Sequence, residues 1–259
     1  MSKILVLNDF VSRGKLAGNM MEPVLSKAGH DVFFLPTALI SNAFSFGNVA
    51  VHDTSEYIKK SFAVWNELGV NFDLIFIGFL ENNRQKEIVL EYINKLVNKP
   101  TIMFDPIMGD DGKLYNSIDD EKIEIYKDIA RIADIITPNY TEARFLGLDD
   151  FKNLMSSGKK YLITSCEDKD GSFCLGIGEN LSKTYYEQLD LKFAGTGDLM
   201  DALFLVYYLR ENDFDLAIDM AVAKMTEILI SQHELNPDSR EIIIEKFLSL
   251  IDVGGKFAG

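Results

Sequence analysis

Cysteine is scarce in this 259-residue chain, with only Cys166 and Cys174, both in ITSCEDKDGSFCLG. Their spacing is not that of a close metal pair and no histidine accompanies them. Two free, buried thiols in a reducing compartment is therefore the reading, over a disulfide or a metal site. Histidine is almost as rare: His30, His52 and His233 stand apart and read as surface or structural groups. Positive charge is also short, 26 Lys and Arg against 40 Asp and Glu, for a formal charge of -14. That argues against a general nucleic-acid or acidic-membrane surface and leaves room only for a local anion pocket. No apolar stretch reaches the ~20 residues that cross a bilayer, and MSKILVLND opens as a short strand rather than a signal peptide. A cytoplasmic location is expected. Neither GxxxxGK[ST] nor GxGxxG is present where it would matter: GNMMEPVLSK at 18–27 does not supply the first. A conventional P-loop or dinucleotide enzyme is disfavoured. Repeats, low-complexity segments and long linkers are missing too, so one domain over residues 1–259 is expected, with DVGGKFAG as a frayed tail.

What is present is apolar sequence in short runs. Hydrophobic residues make up 47% of the chain, enough for a sizeable core. KILVLN, DVFFLP, DLIFIG, PTIMFD and ADIITPN each read as a buried strand ending in polar, Gly or Pro residues. Helix candidates at 15–28, 53–68, 84–97 and 119–131 fall between them, the second with Asp53 as cap and Glu56 three positions on. Strands apolar throughout and alternating with helices predict a mostly parallel sheet covered on both faces. KKYLITS and GSFCLGIG, joined by DKDG, predict an antiparallel hairpin, followed by the polar, aromatic SKTYYEQLDLKF. Helices are expected at 197–210 and 214–231, and a last one at 239–250.

Open parallel sheets bind ligands at the carboxyl ends of their strands. Four polar groupings fall at such ends: NDFVSRGKLAGN (8–19), DPIMGDDGKLY (105–115), TPNYTEARFLG (137–147) and AGTGD (194–198). In the last, Gly195 and Gly197 allow successive backbone N–H groups to converge, and the following helix adds its positive end. Such a nest suits a phosphoryl group in transfer. Asp198 is then either an ordinary first-turn acid favourable to the helix dipole or a base for an attacking hydroxyl. Asp105, Asp110 and Asp111 are either metal or phosphate-metal contacts or turn and cap residues. Asn139 and Glu142 either hold magnesium, directly or through water, or form a plain helix start with Glu142 at the third position.

Taken in order, NDFVSRGKLAGN, ALISNAFSFG, DPIMGDDGKLY, TPNYTEARFL and AGTGDLMDALF resemble the pyridoxal-kinase branch of the ribokinase-like superfamily, over roughly residues 3–230. The resemblance implies a three-layer α/β fold, a mostly parallel central sheet flanked by helices. It implies transfer of a phosphoryl group from ATP, with Mg²⁺, to the 5′-hydroxymethyl group of pyridoxal, pyridoxine or pyridoxamine, commonly in a homodimer. Asp198 would be the base, and residues 194–197 (Ala194, Gly195, Thr196, Gly197) the anion hole. Asp105 matches an acid near metal and phosphates, and Asn139 with Glu142 the polar pair near magnesium and the triphosphate. Thr164 and Ser165 match the nucleotide-side hydroxyl position. Ser12 matches a contact to the pyridine ring, and Ser41–Asn42 the SN pair of vitamin B6 kinases. Asp110 and Tyr115 belong to a flap-like DGxxY segment that shields transfer from water. A monovalent cation such as K⁺ is a further candidate cofactor.

The chain departs from the family pattern in the ring pocket. Ala43 stands where histidine is common, Phe44 where threonine is, and Phe46 and Phe79 where tyrosine is. Stacking survives the Tyr-to-Phe changes at 46 and 79, and hydroxyl contacts do not. Hydroxymethylpyrimidine kinases share the fold, and many carry a GTGCT-like ending where this chain has GTGDL. The expectation is thus a vitamin B6 kinase. The alternatives are a hydroxymethylpyrimidine or other small-alcohol kinase, or a noncatalytic ligand-binding relative.

Overall fold

The computed structural model describes residues 1–43, 47–189 and 191–251. Phe44, Phe46 and the tail beyond residue 251 lie outside the described residues. In chain order the elements are β1 (Lys3–Val11), α1 (Gly18–Lys27), β2 (Asp31–Ile40), β3 (Val51–Asp53), α2 (Ser55–Glu67), β4 (Leu74–Ile77) and α3 (Asn83–Lys95). Then come β5 (Thr101–Phe104), a small hairpin β6 (Gly109–Asp110) and β7 (Lys113–Leu114), α4 (Asp120–Ile132), β8 (Ile135–Ile136), α5 (Tyr140–Phe145) and α6 (Phe151–Met155). The chain closes with β9 (Lys160–Asp168), β10 (Gly171–Ile177), β11 (Leu181–Tyr186), α7 (Thr196–Glu211) and α8 (Phe214–Leu235).

Among the described residues nine strands form one sheet in the order β11-β10-β9-β8-β5-β4-β1-β2-β3. The six central strands from β9 to β2 are mutually parallel. β10, β11 and β3 extend the two edges antiparallel. Alternation in the strands feeds two cores. Ile4, Val6, Leu74, Phe76 and Met103 meet α1, α7 and α8 on one face. Leu5, Leu7, Ile75, Ile77 and Phe104 meet α2, α3 and α4 on the other. Burial on both faces is why these strands read as unbroken apolar runs. Each fully buried aliphatic or aromatic side chain contributes about 1.5–3 kcal/mol before entropy is counted. Helix α7 is buried at every position from Leu199 to Tyr207, as an all-round apolar helix must be. Together these layers are the three-layer α/β architecture expected from the sequence.

The hairpin is present, with Gly171 paired to Asp168 across DKDG. Both cysteines are free and buried, on opposite sides of the sheet: Cys166 in the second core, Cys174 in the first. Among the described residues no helix is long and apolar enough to cross a membrane.

Two expectations are corrected. Asp53 does not cap α2: it ends β3, and its Oδ1 accepts from the Ser55 N–H and hydroxyl and from Gln85 Nε2, while Glu56 pairs with Arg84. Residues 239–250 are not an α-helix. Ala194 N–H donates to Arg240 O at 2.8 Å and Ala194 bridges Glu241, so the segment starts extended and ends in two 3-10 turns, Ile244–Lys246 and Leu248–Leu250. The β-branched Ile242–Ile244 run resists helix, and burial of Ile242, Ile244, Phe247 and Ile251 decides the path.

Candidate active site

The carboxyl ends of β1 and β4 lie side by side, and Asn8 joins them. Gly78 N–H continues the ladder to Leu7 O at 2.8 Å. A side chain at Gly78 would sit 2.7 Å from Asn8 Oδ1, so glycine is what admits Asn8 there. Asn8 is fully buried and all its polar capacity is directed: Oδ1 accepts from the N–H groups of Asp9 and Phe79, each at 3.0 Å. Its Nδ2 donates to Asp198 Oδ1 at 3.3 Å.

Asp198 lies in the first turn of α7. Gly195, the residue before that helix, has φ 82°, and a Cβ there would come 2.7 Å from Lys15 O. No side chain caps this helix end, so the Thr196 and Gly197 amides are among its orphan donors. A Cβ on Gly197 would meet nothing within 4 Å, which leaves open space above these amides. Ala194 N–H is already committed to Arg240, so the donor nest spans 195–197. The loop 15–17 closes one side. Ala17 takes φ 49°, an uncommon backbone state for alanine, and its N–H donates to Asp198. Burial pushes the Asp198 carboxyl up to about 6, against the opposing effect of the Ala17 and Asn8 donors. It is thus a carboxyl that titrates near neutrality rather than a strongly ionised surface acid.

Asp105 directly follows β5 and is buried. Its carboxyl faces that of Asp201, one helical turn beyond Asp198, with the Thr137 hydroxyl beside Asp201. Asp201 Oδ2 and Thr137 Oγ1 are buried and close no full hydrogen bond. Burial raises both acids well above the usual carboxylate range; the Asp201 charge adds to the rise at Asp105, while at Asp201 the Thr137 and Asp105 hydrogen bonds oppose it. The spacing of Asp198 and Asp201 in GTGDLMD was the available signal for this partner, but it has an equally good reading as a helix surface.

Glu142 and Asn139 form a full capping box at α5. Glu142 Oε2 accepts from Asn139 N–H at 2.8 Å, while Oε1 accepts from Met108 at 2.9 Å and Gly109 at 3.4 Å. Asn139 Nδ2 donates to Gly109 O at 2.7 Å. Glu142 is raised to about 7 by burial, which those donors only partly offset. With both oxygens held by backbone amides, it stands behind the site rather than open to it. Asn139 bridges Thr164, whose N–H donates to Pro138 O at 3.0 Å. Ser165 is exposed with φ 57°. Asp110 and Asp111 form the exposed turn of β6–β7 above Glu142, closed by Gly112 N–H to Thr141 Oγ1 at 2.8 Å. Tyr115, the other residue of this segment, has its hydroxyl raised by burial and the Glu142 charge, with a weaker effect from Asp110.

A small apolar cluster lies on the β1–β2 side: Val11, Ala38, Ile40 and Phe79, with Leu16, Val49 and Ile107 against it. Phe79 is fixed at both backbone ends, its N–H on Asn8 and its carbonyl accepting from Thr37 Oγ1 at 2.6 Å. Lys122, from α4, places Nζ 4.5 Å from the Phe79 ring centre and donates to Leu80 O and Glu81 O at 2.5 and 2.6 Å. Ser12 is exposed beside this cluster, its N–H on Ile40 O. Ser41 Oγ donates to Asn42 Oδ1, and Asn42 holds Ala43 O and Asn48 O. Ala43 is buried near Gly14. Asn8, Asp201 and Lys122 were not singled out in the sequence, because each carries its role across elements distant in the chain. A surface concavity of ≈ 570 Å³ beside Pro36, His52 and Tyr57 lies at the sheet edge, away from Asp198.

An uncapped, glycine-formed helix end at a sheet's carboxyl edge, with an acid near neutrality in its first turn, defines a phosphotransferase of the ribokinase-like class. Residues 37–240 match the family model described as phosphomethylpyrimidine kinase, and the chain belongs to that family. It is an ATP-dependent kinase of small alcohols, in the branch that includes phosphomethylpyrimidine and pyridoxal kinases. A Bacteroides thetaiotaomicron structure called a "putative phosphomethylpyrimidine kinase" superposes with TM-score 0.89 at 26% identity, covering 97% of this chain and 94% of that one. A second form of it, with pyridoxal, gives 0.86 at 27% identity over 97% and 96%. The Schizosaccharomyces pombe protein named "putative pyridoxal kinase C18.10" is 27% identical over 243 residues, 82% of this chain and 69% of that protein.

Proposed function

We propose that this chain, as a single kinase domain, phosphorylates the hydroxymethyl group of a nitrogen-heteroaromatic alcohol at the expense of ATP. The observation that carries the reading is Asp198 set beside the open 195–197 amides, with the helix dipole behind it. Asp198 accepts the proton of the alcohol as attack begins. The Gly195, Thr196 and Gly197 amides take the charge that develops on the phosphoryl oxygens. Asn8 and Ala17 N–H hold the base in place. Asn139, Thr164 and Ser165 line the nucleotide side, and Ser12, Ser41, Asn42 and Phe79 the acceptor side.

Magnesium enters as part of the MgATP co-substrate. Among the described residues no group of three or more His, Cys, Asp or Glu side chains forms a cage for it. A metal carried mainly by phosphates and water needs only one or two carboxylates. Asp105 fits that need, with Glu142 acting through water because its oxygens already accept backbone amides. Bound there, the ion would neutralise phosphate charge. A monovalent cation such as K⁺ as a candidate cofactor, a homodimer and a cytoplasmic location complete the reading.

For the acceptor, hydroxymethylpyrimidine and related small ring alcohols are better supported than vitamin B6 alone, because the family model and the Bacteroides relative carry the pyrimidine name. Vitamin B6 is the second reading, favoured by the pyridoxal in that relative's second form and by this chain's SRG and SN segments. An ATP-consumption screen of hydroxymethylpyrimidine and the three B6 vitamers, with product masses, decides between them. Asp198→Asn should lower turnover about 10²- to 10⁴-fold and leave nucleotide binding within a few-fold. Near-normal turnover in that variant would overturn the proposed mechanism.

A further inference from the structure

Four acids near the reacting end each have an internal partner. Asp198 takes Asn8 and Ala17, Glu142 takes three backbone amides, and Asp105 faces Asp201. Glu81 feels the buried cation Lys122. Asp9 is the exception. It is only 8% exposed, yet among the described residues no other residue donates a hydrogen bond to its carboxylate and no cation offsets it.

Its position is specific. The β1–β2 register slips between Asn8 and Phe10: Asp9 is the single β1 residue opposite two residues of β2, Thr37 and Ala38, so the ladder is interrupted where its side chain sits. The charges of Asp198 and Glu81 act on it, and it acts in turn on the buried Tyr126 hydroxyl. It follows directly on Asn8, the residue that bonds both Asp198 and the Phe79 N–H, where Phe79 begins the apolar wall. Burial and the nearby Asp198 push its carboxyl up to about 7. A nearly buried carboxyl without a partner next to an apolar wall either keeps its proton or takes a donor supplied from outside, and a cationic donor favours its charged form.

We infer that Asp9 is a specificity-determining residue that receives an amino or aminomethyl group carried on the ring of the alcohol. The inference rests on the acceptor side proposed above. An amine one ring position from the reacting hydroxymethyl group would meet Asp9 while the hydroxyl meets Asp198. Alcohols with the same ring and a neutral hydroxymethyl group instead would leave that carboxylate without a charged partner.

The test is calorimetric binding of pyridoxamine and pyridoxine, which differ in one amine, to the wild-type chain, Asp9→Asn and Asp9→Ser. We expect wild type to favour the amine at least tenfold at pH 8 and both variants to reduce that ratio at least tenfold. The ratio within one preparation is insensitive to any unfolded fraction. No amine preference in wild type, no binding of either ring, or an unchanged ratio in both variants would overturn the inference. ADP release is measured in parallel. Its absence with every acceptor sinks the kinase reading, while the binding ratio still decides the role of Asp9.

Discussion

Asn8 Nδ2 donates to Asp198 Oδ1 at 3.3 Å, across 190 residues of sequence. The same amide receives the Asp9 and Phe79 N–H groups on its oxygen. One side chain therefore ties together Asp198, Asp9 and the Phe79 end of β4. Asn8→Ala should leave two buried amides unpaired and cost about 1–3 kcal/mol for each. Expected are a lower melting temperature and turnover reduced at least tenfold, read by calorimetry and ADP release. Unchanged turnover would show that Asp198 needs no such support.

The pH dependence follows from acids raised by burial. Asp198 rises from 3.8 to about 6, Asp9 from 3.8 to about 7 and Glu142 from 4.5 to about 7. A carboxyl whose folded value is raised favours the fold while protonated, and that contribution is lost as pH climbs from the unfolded to the folded value. The ligand-free protein should therefore lose stability between about pH 4 and 7. Activity should move the opposite way, falling as pH drops through about 6 because the base is protonated. Asp198→Asn should melt higher than wild type at pH 8. Each kcal/mol is worth about 2–4 °C at this chain size. A lower melting temperature for the variant would contradict the burial argument.

The two glycines of GTGD should respond differently. Gly195→Ala places a Cβ against Lys15 O at a φ of 82°, so both stability and turnover should fall. Gly197→Ala meets nothing within 4 Å among the described residues beyond its own helix. Its melting temperature should stay within about 2 °C of wild type, while KM for ATP rises or kcat falls about tenfold or more as a methyl enters the anion site. Full activity in Gly197→Ala would remove the amide nest from the mechanism.

Lys122 is buried and tied to two carbonyls of the β4 exit. Lys122→Met keeps much of its volume and removes the charge. It should raise KM for the acceptor several-fold and leave KM for ATP within about twofold, a split that simple loss of folded protein does not produce. Equal change in both constants would make Lys122 structural only.

Much of the fold was legible because both faces of the central strands are buried. Runs such as ILVL and LIFI then have only one economical placement, in a covered parallel sheet. GTGD was legible as a helix start because glycine geometry and helix polarity are local properties. The failures were equally physical. Residues 239–250 had helical composition, but pairing of Glu241 with Ala194 is a contact no local pattern records. Asp53 looked like a cap until β3 and Gln85 claimed it.

Sequence by itself determined the alternation of strands and helices, the left-handed turn at Gly195 and the acid that follows it, since these depend on near neighbours along the chain. Only tertiary structure decided which groups that acid meets. Asn8, the Ala17 amide, Asp105 and Asp201 reach the same place because parallel strands end together and α7 begins at that edge. Burial and the Ala17 and Asn8 donors set the Asp198 proton, and its charge acts in turn on Asp105 and Asp201, all through distances in space that sequence separation does not encode.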